Sequence, residues 1–573
     1  MSSPRIRIRI ISGAIALVGI LFIGKLFLLQ VVHGSDFREE ASQQYTAPTS
    51  NVYNRGTIFF QDKDGNLLDA AALQTGYIMS INPGLVIDPE GEYAKINGIM
   101  PLDHSTFIQK ATKQHDVYEQ IADRVSATTS AAITALNLPG VSFYQEKWRA
   151  YPLNTLAAQV IGFAGYDGDV IDGRYGLEKY YDNVLDRTDQ EKNSNPFIAL
   201  FANLPAASSS DSADKDGDIV STIDPNVESE LEQQLQTIQD TYHSKISGGI
   251  IIDPNTGAIY AMAGNPTYDP NNYQDVNDIG VYNDPLVQNV YELGSIMKSI
   301  TMAIGLDTGA VTPSTTYDDT ASITLNGKTI HNWDLVGHGV ISMQKVLSDS
   351  LNVGAAWVEN KTGNQQFANY MFNFGFGEKT GIDLPNEATN LVANLKSAQD
   401  VNYATAAFGQ GVAVTPISMV RALSVLANGG TLVKPYVISE IQYSDGSVQN
   451  LAPTTTGPRV ISQNTSKEIT QMLINVVDQA LDADVGGGFK MAHYSIAAKT
   501  GTAQLVDLQD GGYYSNRFLH SFFGYFPANN PRFLVFLYTD DPQGQELAVH
   551  TLAWPFHNIV KFMIGYYNVP PDR

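Results

Sequence analysis

The sequence contains a serine and a lysine at a spacing that suits acyl transfer, Ser295 and Lys298. A serine that transfers acyl groups needs a base that takes its hydroxyl proton. Residues three apart at the start of a helix lie on one face about one turn apart, so the amine can reach the hydroxyl. Apolar neighbours desolvate an amine and favour its neutral form relative to a free pKa of about 10.4. Ser295 is therefore the candidate nucleophile and Lys298 the candidate base.

The Ser-x-x-Lys spacing alone is weak evidence, because the chain contains it three times. The other two pairs are Ser212 with Lys215 and Ser342 with Lys345. Ser212 lies in a small, polar and acidic stretch that cannot bury a core. Ser342 opens a predicted helix, where a serine most simply acts as the N-cap. Only Ser295 stands at the head of a strongly apolar helix.

Lys-Thr-Gly also occurs three times, beginning at Lys361, Lys379 and Lys499. The first is typical of a Gly-capped helix end, and the second lies in a Gly-rich turn. Only the third follows an apolar strand. Side chains alternate along a strand, so Lys499 and Gly501 share one face, and Thr500 and Thr502 share the other. The exposed edge of such a strand can pair with an extended peptide, and its amides can serve as oxyanion donors.

Ser-x-Asn has three candidates, which are Ser80 with Asn82, Ser350 with Asn352 and Ser462 with Asn464. The first ends a β-like run far upstream of Ser295, and the last is more simply the entry to a helix. Ser350 and Asn352 fall in an apolar helical region. Polar groups there need partners, so this pair can serve a catalytic hydrogen-bond network.

Composition excludes several classes of function. The 573 residues are 43% hydrophobic, which is enough for a folded protein of more than one domain. The net charge of −24 opposes binding to nucleic acid. The chain has no cysteine, so a disulfide and a thiol nucleophile are excluded, and its ten histidines show no metal-binding spacing. We expect no metal and no cofactor.

The first 32 residues predict a membrane anchor. Residues 10–32 are apolar apart from Lys25, and roughly 20 apolar residues suffice to cross the hydrocarbon core as a helix. Arg5, Arg7 and Arg9 then place residues 1–9 in the cytoplasm and the rest of the chain outside. The alternative is a cleaved signal peptide, with residues 32–34 as a weak cleavage site. The uncharged run beyond Lys25 favours the anchor.

We expect two folded regions after the anchor. Residues 33–205 mix β-like runs such as 76–81 with helical stretches such as 117–137, which predicts an elongated α+β module. Residues 206–218 are small, polar and acidic, typical of a linker. Residues 219–573 begin with a β-hairpin at 248–263, closed by Asp253-Pro-Asn-Thr-Gly257. Helical patterns at 295–306, 342–360, 416–427 and 466–481 follow, and then strand patterns at 494–498, 521–526 and 532–539. This order predicts an α/β domain with an antiparallel sheet and a helical cluster.

Taken in order, the motifs at 295, 350 and 499 resemble the three signature motifs of the serine penicillin-binding proteins, and the ordered set is far more specific than any member. Further matches point to class B, the monofunctional transpeptidases. They are Leu29-Gln-Val-Val, Arg55-Gly56, Asp64-Gly65, Gly173-Arg-Tyr-Gly-Leu-Glu178, the 253–257 turn, Gly409-Gln-Gly411, Thr415-Pro416 and Ala427-Asn-Gly-Gly430. The resemblance covers nearly the whole chain. One departure is Leu293, where the family usually has Pro.

The resemblance implies a non-catalytic pedestal on a membrane anchor, followed by a transpeptidase domain that cross-links peptidoglycan. Ser295 would be acylated by the penultimate D-Ala of a stem peptide, with Lys298 as the base. Ser350 and Asn352 would relay protons and hold the substrate amide. The substrate carboxylate would be bound by Lys499, Thr500, Gly501 and Thr502, and β-lactams would inhibit by acylating Ser295.

The implied partners are stem peptides ending in D-Ala-D-Ala, a SEDS-family membrane glycosyltransferase, and other division or elongation proteins. The alternative enzyme is a D,D-carboxypeptidase or β-lactamase, in which water takes the acyl group. The anchor and the pedestal favour synthesis instead. A β-lactam sensor or a non-catalytic division scaffold are further alternatives. The Gly409-Gln-Gly411 loop lacks the third glycine and the βαβ unit of a nucleotide fold.

Overall fold

The computed structural model describes residues 54–167, 170–187, 216–453, 457–507, 509 and 511–573. The chain forms two compact units. The described part of the smaller unit is residues 73–148 with residue 54, and the larger unit contains residues 55–72, 149–187 and the described residues from 216 onward. The predicted anchor at 10–32 and most of the predicted linker lie outside the described residues. The predicted domain boundaries stay a prediction.

From residue 54 to residue 187 the strands are β1 Ile58–Gln61, β2 Leu67–Ile81, β3 Glu119–Val125, β4 Val141–Ala150, β5 Ala164–Asp167 and β6 Val170–Gly173. The helices are α1 Pro89–Asn97, α2 His104–Ala111, α3 Ala127–Thr134, α4 Ala158–Ile161, α5 Gly176–Tyr180 and α6 Asp182–Leu185.

The smaller unit packs three short helices against strands. The second half of β2 pairs with β3 and β4. Its helices α1, α2 and α3 begin at Asp88, Asp103 and Ser126, whose side chains each accept a hydrogen bond from a backbone amide of the first turn. The core is apolar and includes Met79, Ile96, Phe107, Val125 and Ile133.

The predicted helix at 117–137 is wrong in its first half. Residues Glu119–Val125 form a strand, and the helix begins only after Ser126. Pairing with β2 gives backbone groups along one edge of β3 their hydrogen-bond partners. Arg124 has φ of +52°, a left-handed conformation that a continuous helix excludes. Here tertiary pairing outweighs the local helical pattern.

From residue 216 onward the strands are β7 Gly217–Ser221, β8 Ile246–Ile252, β9 Ile259–Asn265, β10 Thr316–Asp319, β11 Ser322–Leu325, β12 Lys328–His331, β13 Gly339–Ser342, β14 Ile438–Tyr443, β15 Val448–Asn450, β16 Ala497–Val506, β17 Tyr513–Phe526 and β18 Phe533–Asp540. The helices are α7 Pro225–Tyr242, α8 Pro285–Gln288, α9 Met297–Asp307, α10 Met343–Ser348, α11 Asn352–Thr362, α12 Asn364–Asn373, α13 Asp400–Ala406, α14 Pro416–Ala427, α15 Gln463–Asn475, α16 Asp482–Asp484 and α17 Ala548–Tyr566. A 3-10 turn, Gly294–Ile296, leads into α9.

The larger unit is built around an antiparallel sheet of five strands in the order β16-β17-β18-β8-β9. Helices α7 and α17 pack against each other and against this sheet, while α9 packs against α11 and α15. Nearly every residue of β18 is buried, which shows that both faces of the sheet are covered. The predicted α/β class, with an antiparallel sheet and a helical cluster, is confirmed.

Most predicted elements of this unit are present with shifted ends. The hairpin β8–β9 forms, and Gly257 in its turn has φ of +87°. Helix α14 has the predicted bounds. The predicted helix 342–360 is instead two helices, α10 and α11. The break between them contains Ser350.

A buried carboxylate, that of Glu178, lies between two guanidinium groups of the larger unit. Arg55 Nε and Arg149 Nε each donate to one of its oxygens at 2.6 Å. Burial alone would raise the pKa of Glu178, but the two arginines outweigh burial and hold this pKa below its ordinary value. Removing one partner of such a buried ion pair strongly destabilises the fold, because it leaves an uncompensated buried charge.

Among the residues described, no helix is both long and apolar enough to cross a membrane. The prediction of a span at 10–32 concerns residues outside that set.

Candidate active site

Ser295 lies in a tight turn that only glycine can precede. Gly294 has φ of +64°, and a β-carbon there would lie 2.6 Å from the carbonyl oxygen of Thr502. The amide of Gly294 donates to the carbonyl of Gly409 at 3.3 Å. The turn continues into α9, so Ser295 is half-buried at the start of a buried apolar helix.

Strand β16 packs directly against this turn through Gly501. A β-carbon on Gly501 would lie 2.3 Å from Ser521 Oγ and 2.7 Å from the carbonyl oxygen of Leu293. Ser521 Oγ donates to that same carbonyl at 2.6 Å. The glycine of the third motif is thus required by close backbone approach to the first motif. The two motifs are held in contact by backbone packing.

Lys298 is buried, with 2% of its surface exposed. Its Nζ donates to the carbonyl oxygen of Ser350 and lies 3.2 Å from Ser350 Oγ. Burial, and secondarily the charge of Lys499, holds the pKa of Lys298 well below its ordinary value. This amine is therefore suited to accept a proton.

Ser350 occupies the break between α10 and α11 in a left-handed conformation, with φ of +58°. Such a conformation costs a non-glycine residue about 1–3 kcal/mol and persists only where surrounding contacts impose it. Asn352 begins α11, is half-buried, and donates from Nδ2 to the carbonyl oxygen of His331 at 2.9 Å.

Lys499 is also buried, at 1% exposure, and donates to the carbonyl oxygen of Thr500 at 3.0 Å. Burial lowers the pKa of Lys499 to about 8, against the opposing charge of Asp484. The predicted alternation is confirmed, since Lys499 and Gly501 are buried while Thr500 and Thr502 are half-buried. Thr502 Oγ1 accepts from the amide of Ala548 at 3.2 Å. β16 is an edge strand of the sheet.

The structure thus brings together the Ser295 turn, Lys298, Ser350 and the segment Lys499–Thr502. Lys298 links the first motif to the second, and Gly294 and Gly501 link the first to the third.

The competing motif copies have structural explanations. Ser342 Oγ accepts from the amide of Lys345 and is the N-cap of α10, as predicted. Gly363 ends α11 with φ of +89°. Ser462 is the N-cap of α15. The second Lys-Thr-Gly lies in a loop just after the turn at 374–377, and the amide of Thr380 donates to Glu387 at 2.6 Å. Ser212 lies outside the described residues.

Several residues that support the site were not predicted for this purpose. Gly409 meets the Ser295 turn so closely that a β-carbon there would lie 2.2 Å from the carbonyl oxygen of Gly294. Ser521 and Asp484 come from distant parts of the chain. The Gly409-Gln-Gly411 motif is a sequence signal that could have indicated the contact of Gly409 with the Ser295 turn. A single Ser or Asp, such as Ser521 or Asp484, has no such signal in the sequence. Within the described ranges, no group of three or more His, Asp or Glu side chains is placed to hold a metal ion.

Two family models match the chain. The penicillin binding protein transpeptidase domain matches residues 248–559, and the penicillin-binding protein dimerisation domain matches residues 51–195. Stage V sporulation protein D of Bacillus subtilis is 31% identical over 562 residues, covering 96% of this chain and 84% of the relative. Peptidoglycan D,D-transpeptidase FtsI of Escherichia coli is 26% identical over 577 residues, covering 99% and 92%.

Solved structures share the fold. Penicillin binding protein 2X of Streptococcus thermophilus superposes with a TM-score of 0.72 at 20% identity, covering 90% of this chain and 80% of that one. Penicillin binding protein 3 of Mycobacterium tuberculosis, complexed with aztreonam, has a TM-score of 0.66 at 23% identity, covering 91% and 98%.

Proposed function

Because the chain belongs to the family of penicillin-binding protein transpeptidases, we propose that Ser295 is its nucleophile and that Lys298 is the base. The chain is a peptidoglycan D,D-transpeptidase, a serine-type acyltransferase that β-lactams inhibit. The observation that carries the assignment of residues is the buried Lys298 amine, which lies beside Ser350 and one helical turn from Ser295.

The first half of the reaction forms an ester on Ser295. The neutral amine of Lys298 takes the hydroxyl proton while Oγ attacks the carbonyl carbon of the penultimate D-Ala. The amide bond to the terminal D-Ala then breaks, and its nitrogen leaves as an amine with a proton returned from Lys298 through the Ser350 hydroxyl. Lys298 is neutral again at the end of this half.

The second half of the reaction transfers the acyl group. An amine of a neighbouring stem peptide attacks the ester carbonyl, loses a proton to Lys298, and forms the new amide bond. Ser295 Oγ leaves and takes that proton back from Lys298, so that both groups return to their starting state. Asn352, at the start of α11, is assigned to hold the substrate amide.

The third motif supplies charge and hydrogen bonds. The ammonium of Lys499, with Thr500, Gly501 and Thr502, binds the substrate carboxylate. The edge position of β16 supports pairing with an extended stem peptide. We assign the oxyanion hole to the backbone amides of Ser295 and Thr502, where one donor is typically worth about 3 kcal/mol.

Product analysis tests this function against the hydrolytic alternative. Purified enzyme is given a stem-peptide donor ending in D-Ala-D-Ala and an amine acceptor, and products are separated by mass. We expect cross-linked product from the wild type and none from Ser295→Ala, with Asn464→Ala as an active control. Hydrolysed donor without cross-linked product would instead support a carboxypeptidase.

For the remainder of the chain we propose an uncleaved anchor at 10–32, with residues 1–9 in the cytoplasm, a pedestal at 33–205, a linker at 206–218 and a transpeptidase domain at 219–573 outside the membrane. The apolar run and the arginines before it support this topology. A SEDS-family glycosyltransferase and division or elongation proteins are the proposed partners. Protease treatment of intact spheroplasts is expected to degrade the catalytic domain and to spare a tag on the N-terminus.

A further inference from the structure

The segment His331–Trp333 contacts the Ser350 turn on both sides. On the near side, Trp333 Nε1 donates to the carbonyl oxygen of Asp349 at 3.0 Å. On the far side, the carbonyl of His331 accepts from Asn352 Nδ2 at 2.9 Å. Asn332 Oδ1 accepts from the amide of Val353 at 3.1 Å. Three successive residues therefore hold the chain immediately before and after Ser350.

Asn332 supplies the helix cap that the local sequence lacks. The first amides of a helix have no partner within the helix and are usually satisfied by a Ser, Thr, Asp or Asn at the N-cap. The N-cap residue of α11 is Leu351, whose side chain makes no capping hydrogen bond. The Asn332 oxygen takes that place from another part of the chain.

The orientation of the Asn332 amide is fixed by Asp319. Asn332 Nδ2 lies 2.9 Å and 3.1 Å from the two carboxylate oxygens of Asp319. A carboxylate only accepts hydrogen bonds, so the NH2 group must face it and the amide oxygen must face Val353. Asp319 and Asn332 are 2% and 1% exposed, so water does not replace these bonds. Tyr317 and the amide of His338 also donate to Asp319, at 2.9 Å and 3.0 Å.

We propose that Asn332, oriented by Asp319, is a positioning residue that keeps Ser350 in its left-handed conformation against Lys298. Trp333 contributes from the other side of the turn. This inference rests on the proposed function, because it assumes that Ser350 relays protons with Lys298. Neither Asn332 nor Asp319 is assigned to touch the substrate.

The test measures the limiting rate of acylation by a fluorescent penicillin, at a temperature where each variant is folded by circular dichroism. Asn332→Ala and Asn332→Asp are expected to lower this rate by about tenfold to a hundredfold, the usual effect of a small misplacement near reacting groups. The double change Asn332→Asp with Asp319→Asn restores a donor facing an acceptor. It is expected to recover at least about threefold over Asn332→Asp.

A second variant, at an exposed position, tests the same turn if the buried Asn332 variants fail to fold. Trp333→Phe keeps an aromatic ring at a position that is 57% exposed but removes the indole donor. It is expected to lower the limiting acylation rate by about threefold or more. The positioning role also predicts a shift in the pH profile of acylation. Lys298 faces Ser350 and Lys499, and opening of the Ser350 turn would admit water to its amine. Because burial is what lowers the pKa of Lys298, the acid side of the profile is expected to move to higher pH in Asn332→Ala.

The matched control is Asn428→Ala, which removes a similarly connected asparagine at the end of α14. It is expected to lower the thermal midpoint while leaving the acylation rate within about twofold and the pH profile unchanged. Wild-type rate and profile in Asn332→Ala or in Trp333→Phe would overturn the inference. Label that persists in Ser295→Ala would overturn the proposed function instead, so the two failures are distinguishable.

Discussion

Lys298 Nζ lies 3.2 Å from Ser350 Oγ, although the two residues are 52 positions apart in the chain and belong to different motifs. The amine is buried within the helical cluster, while the serine is held in a strained turn between two helices. Burial keeps the amine suited to accept a proton, and the turn keeps a hydroxyl next to it. We expect catalysis to depend on this pair of groups more than on any single motif.

On the acid side of the pH–rate profile, the rate of acylation is expected to follow the titration of Lys298. Because its lowered pKa reflects burial first and Lys499 second, the reactive neutral amine is available well below pH 10.5. The rate of penicillin acylation should rise with pH through the pKa of Lys298. Lys298→Arg keeps the charge but cannot accept a proton, and should cost roughly a hundredfold to ten-thousandfold. Lys361→Arg, in a structural Lys-Thr-Gly, is the control, and equal rates in both variants would contradict this role.

The alkaline limb is expected to follow Lys499. Its pKa of about 8 means that the ammonium is lost as pH rises through that value. Binding of the substrate carboxylate should then weaken, so that kcat/KM falls above about pH 8. Lys499→Arg stays charged and should move this limb to higher pH, even if the rate at pH 7 is lower. An unmoved limb in Lys499→Arg, with Lys379→Arg as control, would show that another group titrates.

Gly501→Ala is expected to separate the first and third motifs. The added methyl would lie 2.3 Å from Ser521 Oγ and 2.7 Å from the Leu293 carbonyl, so β16 or the Ser295 turn must shift. Overpacking of this kind costs about 1–3 kcal/mol, and the shift should lower acylation by about a hundredfold. The control is Gly565→Ala, where the methyl would meet nothing within 4 Å. Equal acylation by the two variants would show that the contact is not needed.

Stability is expected to fall towards alkaline pH because of Asp284. Its Oδ1 accepts from the amide of Leu286 at 2.8 Å, but its Oδ2 has no hydrogen-bond partner among the described residues. Burial raises the pKa of Asp284 to about 7 from an ordinary 3.8. The folded state therefore holds a proton that the unfolded state releases. The stability that the folded state gains from the protonated Asp284 is complete below pH 3.8 and is lost as pH rises through 7.

Asp284→Asn removes this titration. It is expected to raise the free energy of unfolding by on the order of 2 kcal/mol at pH 8, with a much smaller effect at pH 4. Urea unfolding at both pH values measures the difference. Asp278→Asn, the same change at an exposed turn, is the matched control. A stability gain that is the same at both pH values would contradict the assignment of the proton to Asp284.

Sequence reasoning predicted the fold class and the approximate place of each motif because the controlling signals are local. Alternation along β16 separates Lys499 and Gly501 from Thr500 and Thr502, and the structure has this separation. The N-cap role of Ser342 also follows from a short pattern and is confirmed, and Ser462 lies at the entry to a helix, as predicted. The catalytic roles of the three motifs stay a prediction.

The parts that sequence reasoning missed depend on contacts between distant residues. The helical pattern of 342–360 continues through Ser350, and nothing local indicates the left-handed break that Asn332 and Trp333 support. The strand β3 was missed because pairing with β2 overrides a helical pattern. Buried polar partners such as Asp319 become visible only when the fold brings them together.

Labelling with a fluorescent penicillin tests the central claim most directly. Wild type, Ser295→Ala, Ser342→Ala and Ser212→Ala are incubated with the label, denatured and separated, and the wild-type adduct is mapped by peptide mass. We expect wild type, Ser342→Ala and Ser212→Ala to carry covalent label and Ser295→Ala to carry none, with the wild-type adduct on the peptide that contains Ser295. Covalent label that persists on Ser295→Ala, or an adduct on another serine, would contradict the claim.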